Sequence, residues 1–401
     1  MTAPLAGIKV VEIASFVAVP AAGALLADMG AEVVKVEVPW GEVYRHASPK
    51  LAGFDSDFPA GAPYQMDNRG KRSLGLDLAL PQARDALRKV IAGADVLITN
   101  VLPARLEKYG LAPERLQSEK PSLIFARLSG YGPDGDRAND PAFDYTAFWS
   151  LSGLMDHLRD LESPPGWMRP GVGDHSAAMA MVTGILGALR VRDQGGEGQV
   201  IDVNLQQIGY YINGNDTANA LATGQTPPRH DRREPRNPLW NHYETADGRW
   251  VFLVMIEADR YWSTFTKLID RPELASDERF ANASVRFRHS RALVEILDGV
   301  FKERSLAEWE ERLDRDRIIW APVRTLAEAI RDLNANETGM FATVDHPEFG
   351  KFKTVAPPFR MSGHAMTGDA PAPLLAVDTA DVLAEAGVDD ETIALIVASS
   401  S

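Results

Sequence analysis

The stretch GIKVVEIASFVAVPAAGALLADMGAEVVKVE, residues 7–37, constrains the fold more than any other part of the chain. It reads as a strand over Ile8–Ile13, a loop, a helix from Pro20 to Met29 and a second strand over Glu32–Glu37, which is a βαβ unit. Both strands are near-continuous β-branched runs, the pattern expected when both faces of a parallel sheet are covered. Pro20 suits a first helical turn, where its missing N–H is not needed, and Gly30 suits the helix end. The alternation then repeats. Gln82–Ala94 has helical spacing, while DVLITN ending at Asn100, SLIFARL ending near Leu128 and a segment around Leu74–Leu76 read as strands. GDHSAAMAMVTGILGALRVRD is a long, mostly apolar helix closed by GGEG and followed by the strand QVIDV. Residues 1–223 are therefore expected to form the first part of a large, doubly wound α/β domain.

Composition shifts at GQTPPRHDRREPRNPLW, a Pro- and Arg-rich stretch without apolar period, which marks a crossing into a smaller α+β domain over residues 224–329. NHYETADGRWVFLV reads as a hairpin turning at Asp247-Gly248, with helical segments near 257–269, 289–303 and 305–314. From about residue 330 a short hairpin, TVDHPEFGKFKTVAPPF, precedes two helices expected to be capped by Asp, DTADVLAEAG and DDETIALIVAS. Residues 330–401 are expected to return to the large domain.

The chain of 401 residues, 45% hydrophobic, can bury at least one large core. No apolar run in the sequence reaches the roughly 18 residues that span a bilayer, and MTAPLAGIKVVEIA lacks the basic start of a signal peptide, so a cytoplasmic location without a membrane partner is expected. The absence of cysteine leaves Ser, Thr, Lys, Asp or Glu for any covalent chemistry. With 42 Lys and Arg against 56 Asp and Glu, a net charge of −14 argues against nucleic-acid binding, and an anionic ligand needs a local basic patch.

The first βα loop, ASFVAVP, is where a Rossmann-like dinucleotide site would place Gly-x-Gly-x-x-Gly, yet the first glycine is Gly23 inside the helix, so NAD is not expected. Glu37, at the end of the second strand, then reads as a surface carboxylate. Arg69, Lys71 and Arg72 fall within four residues and offer a phosphate site or a solvated charge run; Lys108 is a further candidate cation. No metal-ligand spacing, HExxH, Gly-x-Ser-x-Gly or Walker loop occurs, so no metal is expected. In RPGVGDHSAAM, Asp174 reads both as the N-cap of the long helix and as a carboxylate nucleophile held ionised by the helix dipole. Gly171 and Gly173 would let a bulky thioester approach, whereas His175 points about 100° away around the helix and reads as structural.

Taken together, LADMGAEVVKVE, NRGKRSLGLDL, ADVLITN, RLSGYGPDG, GVGDHSAAMAMVTGILGAL and GEGQVIDVNL closely resemble the family III CoA-transferases, the formyl-CoA and carnitine-CoA transferase group. VAPPFRMSG and APLLAVDT resemble that family's closing segment. The resemblance implies a large Rossmann-like domain built from N- and C-terminal parts, a smaller domain, and a homodimer of interlocked chains. It implies that Asp174 is the catalytic aspartate, passing through an aspartyl-acyl anhydride and an aspartyl-CoA thioester, with acyl-CoA and a carboxylic acid as partners and coenzyme A as the carried group. Tyr131 matches an active-site tyrosine, and Val17, Ala18, Lys71, Arg72, Asn100, Val101, Lys108 and Tyr109 fall on or near positions that line CoA. Two departures bear on the substrate: residues 224–241 contain only Gly224 where the formyl-CoA branch has a glycine run, and Ser129 stands where it has a lysine. The related 2-methylacyl-CoA racemases carry a histidine where this chain has Phe143, and a phenyl ring cannot exchange a proton. Phe143, Phe148 and Trp149 are candidates for an apolar acyl pocket or for ordinary core. A CoA-binding protein without turnover is the alternative of a different class.

Overall fold

Six strands meet the parallel pattern: β1 (Lys9–Ile13), β2 (Glu32–Glu37), β3 (Arg72–Gly75), β4 (Val96–Thr99), β5 (Ile124–Ser129) and β6 (Val200–Asn204). They form one sheet in the order β3-β2-β1-β4-β5-β6, with every neighbouring pair parallel. The structure, a computed structural model, describes residues 3–398 apart from 57, 60, 160 and 162. Strand order reverses between β1 and β4, where Val10 pairs with Val96, so the crevice at their carboxyl ends is the natural ligand position of such a sheet.

The sheet is covered on both faces. Val10, Val33, Val96 and Ile124 enter one core with α1 (Ala18–Asp28), while Val11, Val34, Leu97 and Phe125 enter the other with α3 (Pro81–Gly93). This alternation within otherwise apolar strands is what a doubly wound sheet requires. Shorter helices intervene: α2 (Ala62–Asn68), α4 (Pro103–Tyr109), α5 (Pro113–Glu119) and α6 (Leu154–His157). The long helix α7 (Val172–Asp193) packs on α1, and α8 (Leu205–Ile212) and α9 (Gly214–Thr223) follow β6. At 22 residues α7 is long and apolar enough to cross a membrane by length and composition, contrary to the expectation from the sequence. Ala177, Met181, Val182, Ile185 and Leu189 are buried in the core, as in a central helix of a globular unit.

By contacts the chain divides into two compact units, Met1–His157 with Pro165–Pro227 and Asn334–Ser401, and Leu158–Pro164 with Pro228–Leu333. In the second unit, β7 (Trp240–Glu244), β8 (Trp250–Val254) and β9 (Trp320–Pro322) form an antiparallel sheet. The β7–β8 turn falls at Asp247-Gly248 as read from the sequence, with Gly248 at φ +72°. Helices Ala258–Leu268, Ser290–Phe301 and Leu306–Leu313 surround Trp309, whose indole N–H donates to Phe301 O at 2.9 Å.

The last part of the first unit holds the antiparallel hairpin β10 (Phe341–His346) and β11 (Gly350–Val355), then helices Thr379–Glu385 and Asp390–Ala398. Only one of the two expected Asp caps occurs. Asp389 accepts from Thr392 N at 2.9 Å, but Asp378 accepts from Ser73 N at 2.8 Å. With Gly75 N donating to Thr379 Oγ1 at 2.9 Å, the returning segment satisfies the outer edge of β3. Sequence spacing could not distinguish a cap from a sheet-edge tie, because both use the same carboxylate.

Beneath α1 lies a buried ion network. Glu12 of β1 pairs with Lys71 at 2.8 Å and Lys35 at 3.1 Å, and Lys35 pairs in turn with Glu42 at 2.7 Å. Gly23 is the small residue that makes room, since a Cβ there would lie 2.1 Å from Glu12 Oε2. Lys71 also donates to Pro20 O, Asp67 O and Asn68 Oδ1, at 2.8 to 2.9 Å. Burial pulls its ammonium down to about 8, with Glu12 opposing. Removing one partner of such a network strands a charge out of water. Lys71→Met is therefore expected to lower stability by about 3–5 kcal/mol, read as an earlier midpoint in urea; an unchanged midpoint would refute this role.

Candidate active site

The switch-point crevice is closed at its floor by one side chain. Asn100, just past β4, accepts from Ser15 N at 3.2 Å and donates to Ser15 O at 2.7 Å, stitching together the loops that leave β1 and β4. On either side of it lie two cavities that share Ser15, Phe16 and Asn100. The smaller, about 90 Å³, is lined by Val17, Ala18, Ser129, Gly130, Phe143 and Asp174 among others. The larger, about 480 Å³, runs past Glu37, Trp40, Val101, Arg105 and Tyr109.

Asp174 is not the cap of α7. The N-cap is Gly171, at φ +84°, and Asp174 is the third helical residue. The capping carboxylate comes from elsewhere: Asp144 Oδ2 accepts from Gly171 N at 2.9 Å, and Gly173 N also serves Asp144. A helix N-terminus stabilises an anion through its free N–H groups, and here Asp144 takes them. Among the described residues no hydrogen-bond donor reaches the Asp174 carboxylate. Burial, helped by the charges of Asp144 and Asp67 and opposed by His175, lifts Asp174 to about 7. His175 itself faces Asp67, with Nε2 3.0 Å from Oδ1, in keeping with its structural reading.

The remaining expectations divide cleanly. Val17, Ala18, Asn100, Val101, Tyr109 and Phe143 line the two cavities. Tyr131 does not line the Asp174 cavity; its ring lies under the Arg137 guanidinium, 3.5 Å from the centroid. Lys71 is corrected from a phosphate ligand to a structural ion, its protons spent on the network beneath α1. Arg72 is likewise engaged at the sheet edge, 3.0 Å from Glu32 and 2.7 Å from Glu385. Lys108 is exposed in the last turn of α4 and lines neither cavity. Phe148 and Trp149 belong to the core rather than to an acyl pocket. Gly173 serves that core, because a Cβ there would come within 2.5 Å of Phe148 Cγ; its role is close packing of the helix start, not room for a thioester.

Three residues carry no signal that the sequence reading could use, and a fourth, Glu37, is corrected by the structure. Asp144 follows Phe143 as an ordinary aspartate, and its hydrogen bond to Gly171, 27 residues away, carries no local signal. Arg105 lines the larger cavity, with its Nε 3.2 Å from Tyr109 Oη. Glu37 is buried, not a surface carboxylate, and binds Arg45 and Ser73 Oγ. Phe16 holds φ +69°, a conformation no pattern assigns to phenylalanine.

Known proteins resemble this chain along almost its whole length. The family model described as CoA-transferase family III matches residues 5–379. The chain is 30% identical to (R)-2-hydroxy-4-methylpentanoate CoA-transferase of Clostridioides difficile, covering 97% of each chain. It is 31% identical to succinyl-CoA:mesaconate CoA-transferase of Haloarcula hispanica over 96% of this chain and 97% of the relative. A crystal structure of a CaiB/BaiF family protein from Brucella suis superposes with a TM-score of 0.84 at 30% identity, covering 96% of this chain and 100% of that one.

The Asp174 environment has a measurable consequence for stability. Its folded pKa of about 7 lies above the ordinary 3.8, so the folded protein retains a proton there that the unfolded chain releases. The stability cost is absent below about pH 4, grows as pH rises, and is complete above about pH 7, with a ceiling of about 4 kcal/mol. Asp174→Asn is therefore expected to melt at a higher temperature than wild type at pH 8, with the gap closing towards pH 4. Parallel melting curves at both pH values would count against the burial of this charge.

Proposed function

The chain belongs to CoA-transferase family III, and within that family we propose that Asp174 carries CoA from an acyl-CoA donor to a carboxylic acid acceptor. The observation that carries this reading is an undersolvated carboxylate at the switch point, beside a second and larger cavity. A carboxylate deprived of donors is more basic, hence a better nucleophile, than one in water.

In the first step an Asp174 oxygen bonds to the thioester carbonyl carbon, the C–S bond breaks, and the thiolate of CoA leaves. The thiolate then attacks the Asp174 carboxyl carbon, releasing the donor acid and leaving an aspartyl-CoA thioester. The acceptor carboxylate attacks the same carbon and expels the thiolate, which finally attacks the acceptor's carbonyl. Asp174 returns as a carboxylate, and the thioester bond is conserved without ATP. The larger cavity supplies the CoA site of this proposal, with Asn100, Val101 and Tyr109 along it and Arg105 as the cation nearest to hand for phosphate. Phe143, which lines the same cavity as Asp174, has no exchangeable proton on its ring, which supports transfer over racemisation.

We also propose a homodimer. On α7, Val172, Met179 and Leu186 recur every seventh residue and are exposed, with Tyr211, Ile212 and Leu221 exposed on α8 and α9. An apolar stripe of this kind on a globular unit marks a surface to be covered. Sedimentation should return twice the chain mass, and Met179→Arg with Leu186→Arg should return the monomer; a monomeric wild type refutes the assignment.

The nucleophile is tested directly. Wild type incubated with acyl-CoA and trapped with hydroxylamine or borohydride is expected to carry its modification in the peptide containing Asp174. Asp174→Asn should fold but lose CoA transfer by several orders of magnitude. Near-normal transfer by that variant, or an adduct mapping elsewhere, would overturn the reading.

A further inference from the structure

Phe16 is the most strained large side chain at the site. It is a non-glycine residue at φ +69°, and its ring remains 42% exposed. A bulky residue persists in this region only where its surroundings over-determine it. Here the restraint is visible. Phe16 N donates to Glu42 Oε2 at 2.6 Å, while Glu42 Oε1 lies 2.7 Å from Lys35 Nζ, in the buried network below. The backbone of Phe16 is thereby tied to an anchored carboxylate, and the ring is directed outwards instead of into the core.

What the ring meets there gives the strain a purpose. It stands edge-on to Phe143, with centroids 5.3 Å apart and planes at 89°, and Tyr44 lies 6.4 Å away on another side. Phe143 is 55% exposed, so neither ring of the pair is there to fill the core. Phe16 lines both cavities, whereas Phe143 lines only the smaller one that contains Asp174. The two cavities meet at Ser15, Phe16 and Asn100, and Phe143 packs against Phe16 there, so the pair borders the junction between the larger cavity and the one that holds Asp174.

Resting on the CoA-transferase reading of the site, we propose that Phe16 and Phe143 form an aromatic gate that selects the acyl group by size, admitting short aliphatic acyl chains to Asp174 and turning away longer ones. The gate is apolar on the side where the acyl carbons would lie, so it discriminates by contact and exclusion, not by hydrogen bonding. Pocket walls of this kind discriminate by about tenfold or more for small differences in chain size. The rings also cover the small cavity, which would keep water from a mixed anhydride while it exists.

Binding separates the gate from the chemistry. Non-reactive S-ethyl-CoA and S-hexyl-CoA are titrated calorimetrically into wild type, Phe143→Ala and Phe16→Gly. Glycine is chosen at 16 because it adopts φ +69° without strain, and Phe143 is exposed enough to truncate without opening the core. Wild type should favour the ethyl analogue, and each variant should shift the ethyl-to-hexyl affinity ratio towards hexyl by roughly tenfold. An unchanged ratio in both variants overturns the gate. Exchange of labelled CoA into acetyl-CoA and hexanoyl-CoA, which needs no acceptor acid, is measured alongside. A wild type without exchange but with the shifted binding ratios would sink the transferase reading while leaving the gate standing; exchange with unshifted ratios would do the reverse.

Discussion

The position of Glu12 governs much of this structure. It is a fully buried carboxylate in the central strand of a parallel sheet, and only the two lysines beside it make that tolerable. Burial alone would raise its pKa, yet Lys71 and Lys35 together hold it below the ordinary carboxylate value. Around it follow a glycine within a helix, a lysine committed to helix carbonyls, and a glutamate held ready for the Phe16 amide. A buried ion network of this kind adds little net stability compared with an apolar core, but it fixes geometry, because each member has few alternative partners. The loop after β1, which lines both cavities, inherits its shape from that geometry.

A second theme is competition for one helix terminus. Doubly wound folds commonly offer a helix N-terminus to a phosphate. In this chain the first βα loop has no glycines, and the N-terminus of α7 is claimed by the fold's own Asp144. The consequence falls on Asp174, which sits within the first turn but receives none of the compensation normally due there. Of two carboxylates near one terminus, the hydrogen-bonded Asp144 is held in place, while Asp174 is left without donors among the described residues.

The sequence was most legible where a local period decided the outcome. The βαβ unit, the hairpin at Asp247-Gly248 and the long helix that contains Asp174 all announce themselves within one continuous stretch of sequence. Cavity-lining positions such as Asn100 and Val101 were reachable through the family resemblance, and they lie directly past the end of a strand in the parallel sheet. What could not be read were contacts between distant segments. Lys71 and Arg72 are neighbours in sequence and cationic alike, yet one points under α1 and the other to the sheet edge, since successive residues entering a strand face opposite ways. Asp144 and Asp378 are likewise ordinary aspartates until the fold brings each to backbone N–H groups far along the chain.

The tie between Ser73 and Asp378 joins residues 305 positions apart. During synthesis the strand β3 leaves the ribosome long before the segment that completes its outer edge. At about 5–20 residues per second, that interval is on the order of tens of seconds. For that period the nascent sheet presents an unfinished edge, a template for pairing with another chain. The arrangement makes the first unit's completion a late event in the life of each molecule, governed by the pace of translation as well as by the physics of its own core.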